Sequence, residues 1–182
     1  MKATEILMEE HVVIERVLTA LETAVQRLEE GKTIRPGFFI EAADFFKGFA
    51  DGCHHKKEED VLFPALVTHG LPKQGGPVQV MLTEHEQGRR FVAQMREAAQ
   101  RWEAGDQPAR EHVVSAATEY VDLLRNHILK ENNVLFPMAD QVVPPAEQHQ
   151  ISQDFERVEH EETGEGVHEK YLALAEKLEK EL

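Results

Sequence analysis

The chain has 182 residues and a formal net charge of −14, with acidic side chains spread along its length. This length predicts one domain, and an acidic surface argues against nucleic acid and anionic membranes as partners. The single cysteine, Cys53, excludes an intrachain disulfide framework and is typical of a reducing compartment. The chain starts with no signal-like apolar segment and contains no membrane-length apolar window, so we expect a cytoplasmic protein.

Apolar side chains recur every three or four residues, which predicts amphipathic helices rather than strands. The predicted helices run from Leu7 to Leu28, from about Phe38 to Phe63, from Val78 to Trp102 and from Val113 to Met138. Gly31 is expected to end the first helix, and Pro64 is expected to kink or stop the second. A fifth amphipathic segment follows Pro144 and Pro145, interrupted near Gly164.

Four helices with short connections predict an all-α, up-down-up-down four-helix bundle with an additional C-terminal helical segment. We expect the bundle to span residues 1–143. Residues 144–182 would be an amphipathic helical extension of the same domain. Whether this extension caps the bundle or forms a homodimer contact stays open at this point.

One motif occurs twice in the chain. Glu10-His11 precedes His54-x-x-x-Glu58-x-x-x-Leu-Phe-Pro in the first half, and the second half repeats it with these residues: Glu84, His85, His127, Glu131 and another Leu-Phe-Pro. Each half therefore predicts a helical hairpin, and two paired hairpins predict a bundle with pseudo-twofold symmetry.

His11, His85 and His127 fall on helix faces that otherwise carry apolar residues, and His54 and His127 each have a glutamate four residues later. A single such histidine is usually a hydrogen-bonded core residue, but four at equivalent places, two with a glutamate four residues later, indicate a metal site. The candidate ligands are His11, His54, Glu58, His85, His127 and Glu131. They are too many for one tetrahedral zinc, so we expect two six-coordinate ions bridged by the glutamates. Mixed nitrogen and oxygen donors favour iron, with manganese or zinc as substitutes.

From about Glu10 to Pro137, the doubled motif resembles the hemerythrin-like, or HHE cation-binding, family. The resemblance implies a four-helix bundle with a non-haem di-iron centre, with an oxo or hydroxo bridge between the irons. It implies that the six residues named above are the ligands. It also implies small molecules such as dioxygen, nitric oxide or peroxide as partners at the metals.

Two departures distinguish this chain from oxygen-carrying hemerythrins. Those proteins have a ligand histidine four residues after the residue equivalent to His85, where this chain has Arg89, and an aspartate five residues after His127, where this chain has Glu131 at four. A guanidinium has no lone pair to offer, so we expect an exchangeable position at that metal. Arg89 is expected to pair with a carboxylate such as Glu15.

The leading functional hypothesis is a di-iron protein that binds or senses iron, oxygen or nitric oxide, or supplies iron for iron–sulfur repair. A redox enzyme (a peroxidase, an oxidase or a nitric oxide reductase) is the alternative, and whether the protein is an enzyme stays open. A regulatory module that docks a partner through its acidic surface is a third hypothesis. His55 and the motif Glu165-x-x-His168 are expected at the surface, and Cys53 is expected as a small core residue.

Overall fold

The computed structural model describes the backbone of residues 1–182 and the side chains of residues 1–161 and 163–182. Nearly all of this chain is helical, and the described residues contain no strand. The helices are α1 (Ala3–Glu29), α2 (36–68), α3 (Pro77–Glu103), α4 (109–142), α5 (145–163) and α6 (Val167–Glu181). Helices α1 to α4 form the predicted bundle, in which α3 lies against both α2 and α4, and α1 against α4. The prediction of an all-α bundle is therefore confirmed.

Proline and glycine set several helix boundaries, as expected. Gly31 has a φ of +80° just after α1, a left-handed conformation that favours glycine. Pro36 and Pro77 lie in the first turns of α2 and α3, where the missing N–H has no helical partner to lose. Helix α2 does not stop at Pro64, however. A wider, π-helical turn ends at Leu62, and Pro64 lies in the first turn of the α-helical segment Phe63–Thr68 that continues the helix.

The wider turns are π-helical, and the sequence did not predict them. They occupy Phe46–His55 and Glu58–Leu62 in α2, and Glu131–Leu135 in α4. A π-helical turn holds more residues than an α-helical turn, so it changes which side chains point into the bundle. The first segment contains His54, and the other two begin at the motif glutamates, four residues after the motif histidines.

The apolar core is divided into two clusters along the bundle axis. One cluster contains Leu18, Phe46 and Met95, and the other surrounds Leu7 and Phe136. In the first three helices the motif residues lie between these clusters in chain order, and in α4 Glu131 does so while His127 lies beside Ile128 at the edge of the first cluster. The bundle therefore encloses its ionisable residues with apolar layers on both sides.

The C-terminal extension packs within the chain. Ala175 and Leu178 of α6 belong to the first apolar cluster, and Ile151 and Phe155 of α5 belong to the second. This packing agrees with a capping role for the extension, whereas the homodimer contact and the domain division at residue 143 stay predictions. Among the helices of the described chain, none combines the length and apolar character that crossing a membrane requires.

Docking of α6 on α2 depends on a glycine. A Cβ atom at Gly48 would lie 1.9 Å from the hydroxyl oxygen of Tyr171 and 2.0 Å from its ring carbon Cζ. The whole aromatic ring would have to move. At Gly88 on α3, by contrast, an added Cβ would meet Tyr120 at 3.4 Å, which is ordinary contact.

We therefore expect Gly48→Ala to lower the free energy of unfolding by about 1–3 kcal/mol through overpacking. Gly88→Ala is the matched control, because alanine in a helix is favoured over glycine by about 0.5–1 kcal/mol. Thermal unfolding followed by circular dichroism measures both. A Gly48→Ala melting temperature equal to that of the wild type would contradict the docking of Tyr171 described above.

Candidate metal centre

The structure brings all six predicted site residues together in the middle of the bundle. Each of the four bundle helices contributes, and every one of the six residues is at most 2% exposed. The contributions are His11 from α1, His54 and Glu58 from α2, His85 from α3, and His127 and Glu131 from α4. Helical periodicity had placed His11, His85 and His127 on inner faces, and the four-residue spacing within the repeat had added the other three residues.

The donor atoms form two neighbouring groups. The first group consists of His11, His54, Glu58 and Glu131, and the second of His55, Glu58, His85 and His127. Within each group the potential ligand atoms all lie within 4.8 Å of one another, a spacing that could hold a metal ion. Glu58 belongs to both groups.

Each glutamate faces histidines of both groups. The Oε1 atom of Glu58 lies 3.5 Å from Nε2 of His54, and its Oε2 atom lies 3.2 Å from Nε2 of His85. The two oxygens of Glu131 lie 3.1 Å from Nε2 of His11 and 3.1 Å from Nε2 of His127. This arrangement would let each carboxylate bridge two ions.

His55 is buried rather than exposed, so the expectation of a surface position was wrong. Its residue exposure is 4%, and its ring stacks on that of His85 with centroids 3.8 Å apart. His55 ends the π-helical segment Phe46–His55, whose wider turns bring two consecutive histidines into the bundle. The α-helical angle of 100° per residue, on which the expectation rested, does not apply there.

Several of the inward-facing atoms lack hydrogen bonds. Among the described side chains, no partner is present for these buried atoms: Nε2 of His11, Nε2 of His54 and both carboxylate oxygens of Glu58 and Glu131. Leaving a buried polar atom unpaired costs about 1–3 kcal/mol, and more for a charged group. A cation at each group would remove that cost, so the residues present fit a pair of metal ions.

The outer nitrogen of each histidine is held by an oxygen. In the two repeats, His54 Nδ1 lies 2.9 Å from Glu10 and His127 Nδ1 lies 2.8 Å from Glu84. The partners of the other rings are, for His11, Asn132 at 2.7 Å; for His85, Glu59 at 2.8 Å; and for His55, Asp51 at 3.3 Å. These contacts turn Nε2 of the four motif histidines inward, as carboxylate and amide partners do around metal-binding imidazoles.

Two lysines extend these contacts, and sequence reasoning missed them. Lys57 donates a hydrogen bond to Glu10, and Lys130 donates one to Glu84. The signal was present in the sequence, because a lysine precedes the second glutamate of the motif in both repeats. The full repeat is therefore Glu-His in one helix and His-x-x-Lys-Glu in the next.

The pKa values of the two buried carboxyls, Glu58 and Glu131, shift in opposite directions. Burial and the neighbouring Glu131 carboxylate raise the pKa of Glu58 well above its usual range. Burial also disfavours ionisation of Glu131, but the imidazoles of His127 and His11 outweigh it and lower the pKa of that carboxyl. In the protein without metal, Glu131 is therefore the ionised member of the pair.

The pKa values of the histidines also shift in opposite directions. Burial lowers the pKa of His54 to about 4, aided by the nearby His11, and lowers the pKa of His55 to about 3, aided by His85. Burial acts in the same direction on His127, but Glu131 and Glu84 outweigh it and raise its pKa to about 9. His54 and His55 are thus neutral near pH 7, as metal ligands must be, whereas His127 holds a proton.

Arg89 does not pair with Glu15, as the sequence had suggested. Its guanidinium lies 2.9 Å and 3.0 Å from the oxygens of Asp51 and 2.7 Å from Glu59, whereas Glu15 lies 3.5 Å from Arg125. Arg89 thereby holds the carboxylates that contact His55 and His85. A third imidazole, that of His55, faces the second group. The exchangeable position expected at that metal stays a prediction.

A cavity of about 390 Å³ opens between α2 and α3 beside this second group. His55 and His85 form part of its wall, together with Phe46, Val92 and Tyr120. Cys53 is buried and burial raises the pKa of its thiol to about 12, which agrees with its expected role as a small core residue.

Comparison with known proteins agrees with the geometry. Residues 2–139 match the model of the hemerythrin HHE cation binding domain. The uncharacterized protein Rv1995 of Mycobacterium tuberculosis and its counterpart Mb2018 of Mycobacterium bovis are each 28% identical over 180 residues, which is 99% of this chain and 70% of theirs. The iron-sulfur cluster repair protein YtfE of Salmonella newport is 34% identical over 97 residues, which is 47% of this chain and 40% of that protein. The chain therefore belongs to the hemerythrin HHE cation-binding domain family and is a hemerythrin-like metal-binding protein.

Proposed function

We propose that the chain holds two iron ions and binds a small molecule at them, as a protein that binds or senses iron, oxygen or nitric oxide or serves iron–sulfur repair. The observation that carries the proposal is the pair of buried carboxylates, Glu58 and Glu131. Each faces both groups of histidines, and neither has a hydrogen-bond partner for its oxygens among the described side chains. Two cations between them would satisfy all four oxygens.

Each ion has its own imidazoles in this proposal. His11 and His54 would bind ion one, and His85 and His127, with the added His55, would bind ion two. Two or three imidazoles and two shared carboxylates form the mixed nitrogen and oxygen donor set that suits iron, while manganese and zinc remain substitutes. Iron bound by these residues would supply redox chemistry and could bind dioxygen, nitric oxide or peroxide.

The biological role is proposed from the donor set and from one relative. YtfE of Salmonella newport, which resembles about half of this chain, is named an iron-sulfur cluster repair protein. A pair of irons held by neutral imidazoles and two shared carboxylates suits the binding of nitric oxide and the delivery of iron to damaged clusters. Iron transfer from the loaded protein to an apo iron–sulfur protein tests this role directly.

The cavity beside ion two supports a redox enzyme as a second candidate. It brings a space of about 390 Å³ against His55 and His85, so a small substrate could approach one ion through a mostly apolar passage. Consumption of many equivalents of hydrogen peroxide or nitric oxide by the iron-loaded protein would favour the enzyme. Uptake of a single equivalent without turnover would favour the binding protein.

The first prediction concerns stoichiometry. Protein loaded anaerobically with ferrous iron should bind about two ions per chain. Glu58→Gln and Glu131→Gln should each lower the occupancy of both ions, because a bridging carboxylate serves two. Metal analysis after desalting measures this. Asp60→Asn, an exposed carboxylate two residues from Glu58, is the control and should keep both ions. A single bound zinc with no second ion under iron loading would rule out the two-ion proposal.

A second prediction concerns protons. His127, with its pKa raised to about 9, carries a proton at pH 7, and the raised pKa of Glu58 favours its protonated form. Both must lose protons to bind a metal, so we expect release of about one to two protons per chain at pH 7. Because protons compete with the ions, metal affinity should rise with pH until His127 is neutral, above about pH 9.

Calorimetric titration with zinc in buffers of different ionisation enthalpy measures this proton release. Glu58→Gln should reduce the number of protons released per ion bound, whereas Asp60→Asn should leave it unchanged. An affinity that stays constant from about pH 6 to about pH 9 would contradict the assignment of the protonated groups.

A third prediction concerns the cavity. Val92→Phe should fill part of the space beside His55 and His85 and slow the association of nitric oxide with the iron-loaded protein, without lowering its iron content. Val80→Phe, on an exposed position of the same helix, is the matched control and should leave the rate unchanged. Stopped-flow absorbance measures both. Equal association rates for the two variants would show that nitric oxide reaches the centre by another route.

A further inference from the structure

Lys57 connects the C-terminal extension to a histidine of the metal centre. The lysine is only 1% exposed, and its ammonium donates hydrogen bonds to Glu10 and, at 2.9 Å, to Glu159 of α5. The second oxygen of Glu10 accepts from Nδ1 of His54 at 2.9 Å. A continuous path of hydrogen bonds thus runs from Glu159 through Lys57 and Glu10 to His54.

The second repeat has the same path of hydrogen bonds, but the C-terminal extension does not cover it. Lys130 donates to Glu84, which accepts from Nδ1 of His127. The side chain of Lys130 is 45% exposed, however, whereas that of Lys57 is 1% exposed. The pseudo-symmetry of the bundle is therefore broken at this point: one lysine is buried under the extension and the other is in contact with solvent.

Residues 159–171 lie directly over the outer face of α2. The Thr163 hydroxyl donates to the Gly52 carbonyl at 3.2 Å, and the His168 ring lies 5.2 Å from that of Phe49. The side chain of His168 is 23% exposed and therefore partly buried under this contact, whereas Glu165 of the same motif is exposed, as expected. This cover lies beyond residue 139, where the match to the family model ends.

A third metal ion does not account for this cluster. Glu10, Cys53, Glu159 and His168 do place potential ligand atoms within 4.8 Å of one another. The ammonium of Lys57 already lies against two of these carboxylates, and it supplies the positive charge that they require. A dication among the same oxygens would meet that ammonium at close range in a poorly screened environment. The side-chain ammonium of Lys57 therefore supplies the cation of this cluster, in place of a metal ion.

We propose that Glu159 makes the two ion sites unequal by acting through Lys57 and Glu10 on His54. This proposal rests on the proposed function. The ammonium has three N–H groups, and Glu159 accepts one of them. Because Glu159 accepts one of these hydrogen bonds, the ammonium occupies only one oxygen of Glu10. The other oxygen of Glu10 stays available to accept from Nδ1 of His54, and this contact keeps Nε2 of the ring turned toward ion one. Glu159 is a positioning residue.

Ion one would lie beneath the extension on its His54 side, although a cavity of about 690 Å³ reaches His11. Ion two would have the exposed Lys130 and a cavity that touches both His55 and His85. We therefore expect ion two to exchange first.

The test is release of ferrous iron from the loaded protein to a chromogenic chelator under anaerobic conditions. We expect two phases of equal amplitude in the wild type, the slow one from ion one. Glu159→Gln should accelerate the slow phase about tenfold, the lower end of the effect of losing a residue that supports a ligand, and leave the fast phase unchanged. Glu161→Gln, an exposed glutamate of the same segment, is the matched control. Glu84→Gln should accelerate the fast phase alone.

A spectroscopic measurement separates positioning from general stability. In zinc-loaded protein, the Nδ1 proton of His54 should be visible by nuclear magnetic resonance, and Glu159→Gln should shift it and speed its exchange with water. The corresponding proton of His127 should not change. A loss of stability alone would affect both protons.

The outcomes distinguish the two proposals. If the wild type binds neither iron nor zinc, the proposed function fails and this inference fails with it. If two ions bind but leave the wild type in a single phase, or if Glu159→Gln releases both at wild-type rates, only the inference is overturned. The single-phase result needs no variant, so it is decisive even if Glu159→Gln folds poorly.

Discussion

The structure depends on burying ionisable side chains in the middle of a helical bundle. Two glutamates and five histidines lie there at 4% exposure or less, between two apolar clusters. Burial of unpaired charge is costly, because the surroundings are a much poorer solvent for ions than water. In the protein without metal, part of that cost is reduced by protonation, since Glu58 has a raised pKa and His127 keeps its proton. Shared cations would replace those protons, so one arrangement serves both folding and metal binding.

The π-helical segments allow the bundle to bring this many potential metal ligands into its interior. In a regular α-helix, consecutive residues point in directions about 100° apart, so His54 and His55 would not both face inward. The segment Phe46–His55 has wider turns and brings both rings to the interior. The shorter segment Glu131–Leu135 of α4 begins at the second carboxylate. The corresponding segment of the first repeat, Glu58–Leu62, begins at the other carboxylate in the same way. Only the first repeat has the additional π-helical segment that ends at His55, and this segment adds an imidazole to the second group.

The residues that surround the centre also differ between the side of the first group and the side of the second group. On the side of His54, the extension closes over Lys57, and Tyr171 fits against Gly48. On the side of the second group, Arg89 holds Asp51 and Glu59 at the surface, beside an open cavity. A duplicated hairpin alone would give two equivalent ion sites. In the proposed two-ion centre, residues inside the repeats, such as His55 and Arg89, and a residue beyond them, Glu159, would remove that equivalence. A protein needs such a difference if one ion is to be retained while the other reacts or is delivered.

The bundle, the internal repeat and the inner position of the six motif residues could be predicted from the amino-acid sequence alone. Helical periodicity fixes which face of a helix a residue occupies, and histidines and glutamates that recur on an apolar face are stable there chiefly when a cation neutralises them. The burial of His55, the pairing of Arg89 with Asp51 rather than Glu15, and the contact of Glu159 with Lys57 required the folded chain. The first depends on a π-helical turn that packing selects. The other two join helices far apart in the chain, and local periodicity carries no information about which side chains meet across helices.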